Sequence, residues 1–269
     1  MGGGYHYLVS SLPALRIGEP PPVSLGDFLR DHEEMLRGDW GLVEVLLLRN
    51  DVENLHALLT EGPAAAMVSP SVYTREELEE AIKLREGLPP FMLEHIARVP
   101  AYGPSAAEAG QAPSRVADLV KAYLLWAALQ EQPFFRGYFT FELRLRNAAA
   151  GIRARGRGRD VLEATAGEDD DLVLFKMRES RSAPDFGLQG EAPWMARLVQ
   201  AFEKGEPEEL ERTMDEIRLA EIDSLVALKD FQIDVILAFL LALGIVTRWA
   251  AFDAQSGEGF VQALVRDAM

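Results

Sequence analysis

The chain contains no cysteine, which excludes disulfide staples, thiolate metal sites and cysteine nucleophiles and suits a reducing compartment. Positive charge is scarce. Against 43 Asp and Glu stand 27 Lys and Arg, giving a formal net charge of −16 and an isoelectric point near 4.7. So acidic a surface repels a phosphate backbone, and no nucleic acid is expected as a principal partner. Long apolar runs are missing too: the most apolar stretch, VILAFLLALGIV, spans only 235–246 between Asp234 and Arg248. A bilayer takes roughly 20 residues, so the expectation is a helix buried in protein and no transmembrane segment. The opening MGGGYHYLVSSLPALRIGEPPP has neither a basic start nor a long apolar core, which argues against a signal peptide. Myristoylation is set aside as well, because His6 stands where that motif requires Ser or Thr.

Alternating strand patterns are nearly absent. Only YHYLVSS and DLVLFKM read as short strands, and the second fits a helix equally well. Helical periodicity runs through most of the remainder. SLGDFLRDHEEML opens with Ser24 as cap and Asp27 three residues on; TREELEEAIKLREG has Thr74 as cap, Glu77 at the third position and Gly87 as a stop. Further helices are expected from Ser114 to the break at Pro133, through FFRGYFTFELRLRNAAAGIRARGRG, APWMARLVQAFEKGEP and EPEELERTMDEIRLAEIDSLVAL, from near Asp230, and in the closing GEGFVQALVRDAM. The segments 102–113 and 180–193 read as loops. AGEDDD at 166–171 lacks the spacing and closing Glu of a calcium loop and reads as a solvated helix start. The expected class is all-α. With 48% hydrophobic residues in 269, the chain can bury a substantial core.

One feature recurs. RNDVENLHALLTEG and FELRLRNAAAGIRARGRG each set a charged, amide-bearing turn, with Asn54 or Asn147, inside an apolar helix that stops at glycine about two turns later. LLALGIVTRWAAFDAQSGEG is a looser third copy, with Arg248 as the interruption. The spacing points to a bundle of about three pseudo-repeats, approximately 1–100, 101–185 and 186–269, in a single all-helical domain.

The stretch DVENLHALL at 51–59 resembles the aspartate–asparagine–leucine turn of the C/d family of V-type ATPase central-stalk subunits. FQIDVILAFLLALGIVTRWAAF is similar to that family's last long helix, with Arg248 at the position of a recurring arginine. YHYLVSSLPALRIGEPPPVSLGDFL resembles an uncharacterised bacterial family encoded beside V-type ATPase genes. The chain departs from the C/d family in being shorter and in having Gly244 and Val246 where acidic residues precede the arginine. The resemblance implies a funnel-like bundle of pseudo-repeated helix pairs. It implies a non-catalytic central-stalk component joining the rotor shaft subunits to the proteolipid ring, without cofactor or metal, on the cytoplasmic face of the inner membrane.

Beside the resemblance, each polar feature has its own reading. His56 with Asp51 or Glu53 has the spacing of an acid–base pair, but no nucleophile or H-E-x-x-H pattern accompanies it, so a structural histidine is the expectation and a hydrolytic enzyme the remote alternative. Asn54 and Asn147 are expected to bond backbone ends or neighbouring helices. The run Arg144, Arg146, Arg153, Arg155, Arg157, Arg159 is read as cations at a helix end, as contact with an acidic partner surface, or as the strip by which an assembly factor or adaptor holds an acidic partner or nucleic acid. The aromatics of PFFRGYFTFE and the pair Trp249 and Phe252 are expected in the core, some serving as interface anchors. The candidate partner-interface residues are Asp51, Asn54, Asn147, Arg153, Arg155, Arg248 and Trp249.

Overall fold

The structure is a computed structural model that describes residues 5–98, 116–161, 164–165, 171–188 and 190–254. The described residues form helices and no strand, so the all-α class holds. The helices are α1 (His6–Ser11), α2 (Leu25–Leu36), α3 (Trp40–Glu61), α4 (Arg75–Leu84), α5 (Pro90–Arg98), α6 (Val116–Ala128), α7 (Pro133–Gly156), α8 (Leu172–Glu179), α9 (Met195–Lys204), α10 (Pro207–Val226) and α11 (Ile233–Ala254). The chain divides into two compact units, Met1–Trp126 with Lys229–Met269, and Ala127–Leu228. The loop expected at 102–113 and the closing helix expected at 257–269 lie outside the described residues, as does most of AGEDDD.

Local chemistry explains several of the boundaries. The Ser24 hydroxyl accepts the Asp27 N–H at 3.1 Å, and Thr74 and Glu77 form a reciprocal capping box at the start of α4. Asp171 caps α8 with Oδ1, which accepts the N–H groups of Val173 and Leu174, and accepts the Arg144 Nε with Oδ2 at 2.9 Å. YHYLVSS is a correction: its alternation reads as a strand, yet it folds as helix α1, placing Leu8 in the core while Tyr5 donates its backbone N–H to Phe231 O at 3.0 Å. Tertiary packing overrides the local pattern there.

In the first unit the core is built by α1, α2, α3 and α11, through Leu8, Phe28, Leu36, Val43, Phe239 and Leu243. The Phe28 and Phe239 rings lie 5.0 Å apart, joining α2 to α11. The last helix is longer than its apolar stretch suggests. Ile233–Phe252 is long and apolar enough to cross a membrane by length and composition, with a mean hydropathy of 2.2. Here Ile236, Phe239, Leu240 and Leu243 pack into the core, as the sequence predicts.

The second unit is organised around α7. Phe134, Phe135, Tyr138, Phe139 and Phe141 are all buried, so that aromatic cluster is core. Gly151 is closely packed there: a Cβ on it would stand 2.5 Å from the Met177 Cε, which would have to move, and 3.2 Å from the Phe186 ring. Beside this apolar packing lies a buried ion network. Arg218 of α10 donates from Nε and Nη2 to the two oxygens of Glu142 at 2.8 and 3.0 Å, and from Nη1 to Asp215 at 2.8 Å. Arg146 donates to Glu142 at 2.6 Å, so two cations face two anions. Burial pushes the Glu142 carboxyl up, but the charges and hydrogen bonds of Arg218 and Arg146 overrule it and hold it at about 2. Removing one partner of such a network leaves charge buried without compensation, which typically costs about 3–5 kcal/mol. Arg218→Met is therefore expected to lose stability on that scale in denaturant unfolding, far more than Arg197→Met, which breaks only the exposed pair with Glu216.

Candidate functional site

The polar turn of α3 is the feature that the sequence singles out, and its side chains turn inward. Asp51 and Asn54 are both 0% exposed. The Asp51 carboxylate accepts the backbone N–H groups of Val72 at 2.9 Å and Tyr73 at 3.0 Å. Asn54 accepts the Val68 N–H at 2.6 Å and donates to the Val68 carbonyl at 3.0 Å, reproducing the pairing of a strand neighbour. Asn50, one turn earlier, donates to the Pro70 carbonyl at 2.7 Å. Three polar side chains on one face of α3 thus clasp the segment from Val68 to Tyr73, which leads into the capping box of α4. Positions 50, 51 and 54 share that face because helix neighbours stand three and four residues apart. Burial raises the Asp51 carboxyl above the ordinary carboxylate range, while the two backbone donors draw it down.

The partners first considered for His56 are engaged elsewhere. Both Asp51 oxygens serve the clasp, and Glu53 pairs with Arg49 at 2.8 Å. His95 of α5 is an electrostatic neighbour of His56. Burial pushes the His95 imidazole below its ordinary range, and His56 and Arg98 add to this while Asp118 opposes it. Among the described residues no group of three His, Asp or Glu could hold a metal ion.

The arginine run does not form a continuous exposed strip. Arg144 is held by Asp171, and Arg146 by Glu142. Arg153 lies over the Phe202 ring at 5.8 Å, where burial lowers the pKa of its guanidinium and Glu211 opposes the shift. Arg155 donates to the carbonyls of Ala183 and Pro184 at 2.5 and 2.8 Å and stacks on Phe186 at 4.6 Å. Arg157 and Arg159, past the end of α7, are exposed. Asn147 is buried in α7, and Trp249 is buried in α11 with its ring edge-on to Phe252 at 5.6 Å. Arg248, beside it, is exposed. Of the seven interface candidates, then, Asp51, Asn54, Asn147 and Trp249 are buried, Arg153 and Arg155 are half-buried, and Arg248 alone is exposed.

Sequence reasoning missed the Glu142–Arg218–Asp215 network. Its signal was available only in part: Glu142 and Arg146 stand four apart and Asp215 and Arg218 three apart inside otherwise apolar helix faces. Nothing local joins Glu142 to Arg218, 76 residues away.

A family model described as "Protein of unknown function (DUF2764)" matches residues 3–269. The chain belongs to that family. No curated protein and no solved structure matches the chain. For a DUF2764 protein, the geometry of this clasp is therefore the observation on which a functional reading has to build.

Asp51→Ala leaves the N–H groups of Val72 and Tyr73 without their acceptor, a loss of about 1–3 kcal/mol. The denaturation midpoint is expected to fall and amide hydrogen exchange at Val68, Val72 and Tyr73 to accelerate; unchanged exchange in that segment would refute the clasp. His95 supplies a pH dependence. Because its folded value lies below the unfolded 6.5, the unfolded chain takes up the proton first. Stability from neutral His95 is present above that pH and is lost as the pH falls from it toward the lower folded value. His95→Gln is expected to flatten the decline in stability between about pH 7 and 5; parallel curves for variant and wild type would contradict this.

Proposed function

We propose that the chain is a non-catalytic central-stalk component of a V-type ATPase or ATP synthase, coupling the rotor shaft to the membrane proteolipid ring in the manner of the C/d family. In this reading its helix pairs form a C/d-like, funnel-like bundle on the cytoplasmic face of the membrane, and nucleotide chemistry belongs to other subunits. The single observation that carries the proposal is the clasp. The turn that resembles the C/d-family motif directs its carboxylate and amide onto the chain's own backbone. A part that transmits torque needs stiff helices with fixed register, and buried polar pairing is an attested means of fixing register. The acidic surface, with a formal charge of −16, supports the same reading, since electrostatic complementarity sets the orientation and rate of docking more than its strength.

The full chain, mixed with purified shaft subunits and with detergent-solubilised proteolipid ring, is expected to be retained by both. Arg248→Glu, which changes the exposed interface candidate, is expected to weaken retention several-fold without altering the helical circular-dichroism spectrum. Absence of binding to shaft and ring alike would eliminate the proposal, and salt-sensitive retention on RNA in its place would favour the adaptor reading.

A further inference from the structure

The unit Ala127–Leu228 carries a cleft of about 490 Å³, within the range of roughly 300–1,000 Å³ typical of small-molecule sites. Its long wall is one face of α7, on which Arg136, Thr140 and Arg144 follow one another at four-residue intervals. The turn before α9 contributes Trp194, and α10 contributes Glu221. Gly137, in the same wall, lets α10 approach closely, since a Cβ there would stand 2.9 Å from Leu225.

Two observations bear on what this cleft could hold. The first is its polar groups, of which Arg136 is exposed and Thr140, Trp194 and Glu221 are half-buried. Arg144 and Glu191 on its rim are already paired, with Asp171 and Lys176. The Arg136 guanidinium, the Thr140 hydroxyl, the Trp194 indole N–H and the Glu221 carboxyl have no hydrogen bond or ion pair among the described residues. Three of these four are donors, and one donor carries a full charge, the complement of a ligand anion. The second is an aromatic corner. The Phe141 and Trp194 rings meet edge to face, with centroids 6.0 Å apart and planes at 89°, and so form an aromatic corner of the cleft in which the half-buried Trp194 is the more accessible ring. The Glu221 carboxyl, which burial raises above its ordinary value, lines the same space; when ionised it opposes any anion, and a doubly charged one more than a singly charged one.

We propose that this cleft binds a small aromatic monocarboxylate, with Arg136 and Thr140 taking the carboxylate and Phe141 and Trp194 the ring. The site is independent of the rotor reading: it is contained in one unit and uses none of the interface candidates.

Amide and indole correlation NMR on the full-length ¹⁵N-labelled protein tests this directly, with the Trp194 indole signal assigned by its loss in Trp194→Phe. Titration with indole-3-acetate is expected to shift that signal saturably. Phenyl phosphate should bind more weakly, and benzylamine or inorganic phosphate should give no saturable shift. Because a hydrogen bond to a charged group contributes about 1.5–3 kcal/mol, Arg136→Met should weaken indole-3-acetate by roughly tenfold or more, Arg136→Lys by less, and Arg157→Met, equally exposed but outside the cleft, not at all. Arg136 has no partner in the fold to lose, so the rest of the Arg136→Met spectrum should stay native. Absence of a saturable Trp194 shift, equal binding of benzylamine, tighter binding of phenyl phosphate, or full affinity in a natively folded Arg136→Met protein would each overturn the proposal.

Discussion

A backbone N–H or a charge withdrawn from water must find a partner inside the protein, and in this chain that requirement organises both compact units. In the first, the segment from Val68 to Tyr73 has no sheet or helix to supply its hydrogen bonds, so the side chains of Asn50, Asp51 and Asn54 supply them. In the second, Glu142 and Asp215 are buried among aromatic and aliphatic side chains, and Arg218 with Arg146 neutralises them. The same constraint accompanies the placement of the helices: α4 begins at Thr74 where the clasp leaves the chain, and α7 and α10 meet in the register that aligns Glu142 with Arg218.

The two solutions differ in how far apart in sequence their partners stand, and that decides what could be read in advance. Caps are local. Ser24 with Asp27 and Thr74 with Glu77 lie three residues apart, and both were legible. The polar turn at Asp51 and Asn54 was legible as a buried joint, because amide and carboxylate interrupt an apolar helix face; its partner segment, 14 to 22 residues away, was not. The Glu142–Arg218 pair spans 76 residues and left no local trace. Arg155 shows the same limit from the surface side. In sequence it belongs to a cationic run, whereas in the fold its guanidinium lies on Phe186 and bonds carbonyls 28 and 29 residues downstream. Charge runs announce cations but not what neutralises them.

The two misread stretches have physical causes as well. YHYLVSS alternates like a strand and is rich in residues that favour strands, yet a helix is what seats Leu8 against Phe28 and Leu36. The apolar stretch at 235–246 was measured by its unbroken hydrophobic run, while the helix extends to Ile233 and Ala254 because Asp234, Thr247 and Arg248 are compatible with helical backbone at its ends and on its exposed face.

These constraints bear on function by sorting the polar residues. A group that completes the fold has its lone pairs or protons committed, and is a poor candidate for chemistry or for recognition. By that criterion Asp51, Asn54, Glu142, Asp215 and Arg218 are removed from consideration, as is most of the arginine run. Among the described residues, what remains includes the exposed end of the run at Arg157 and Arg159 and the cleft lined by Arg136, Thr140 and Trp194. In the readings proposed above, an adaptor would dock through exposed charge of this kind, and a ligand would meet Arg136, Thr140 and Trp194 in the cleft. The distinction between satisfied and unsatisfied polarity, more than burial or charge alone, therefore separates the residues that build this protein from those left open to recognition.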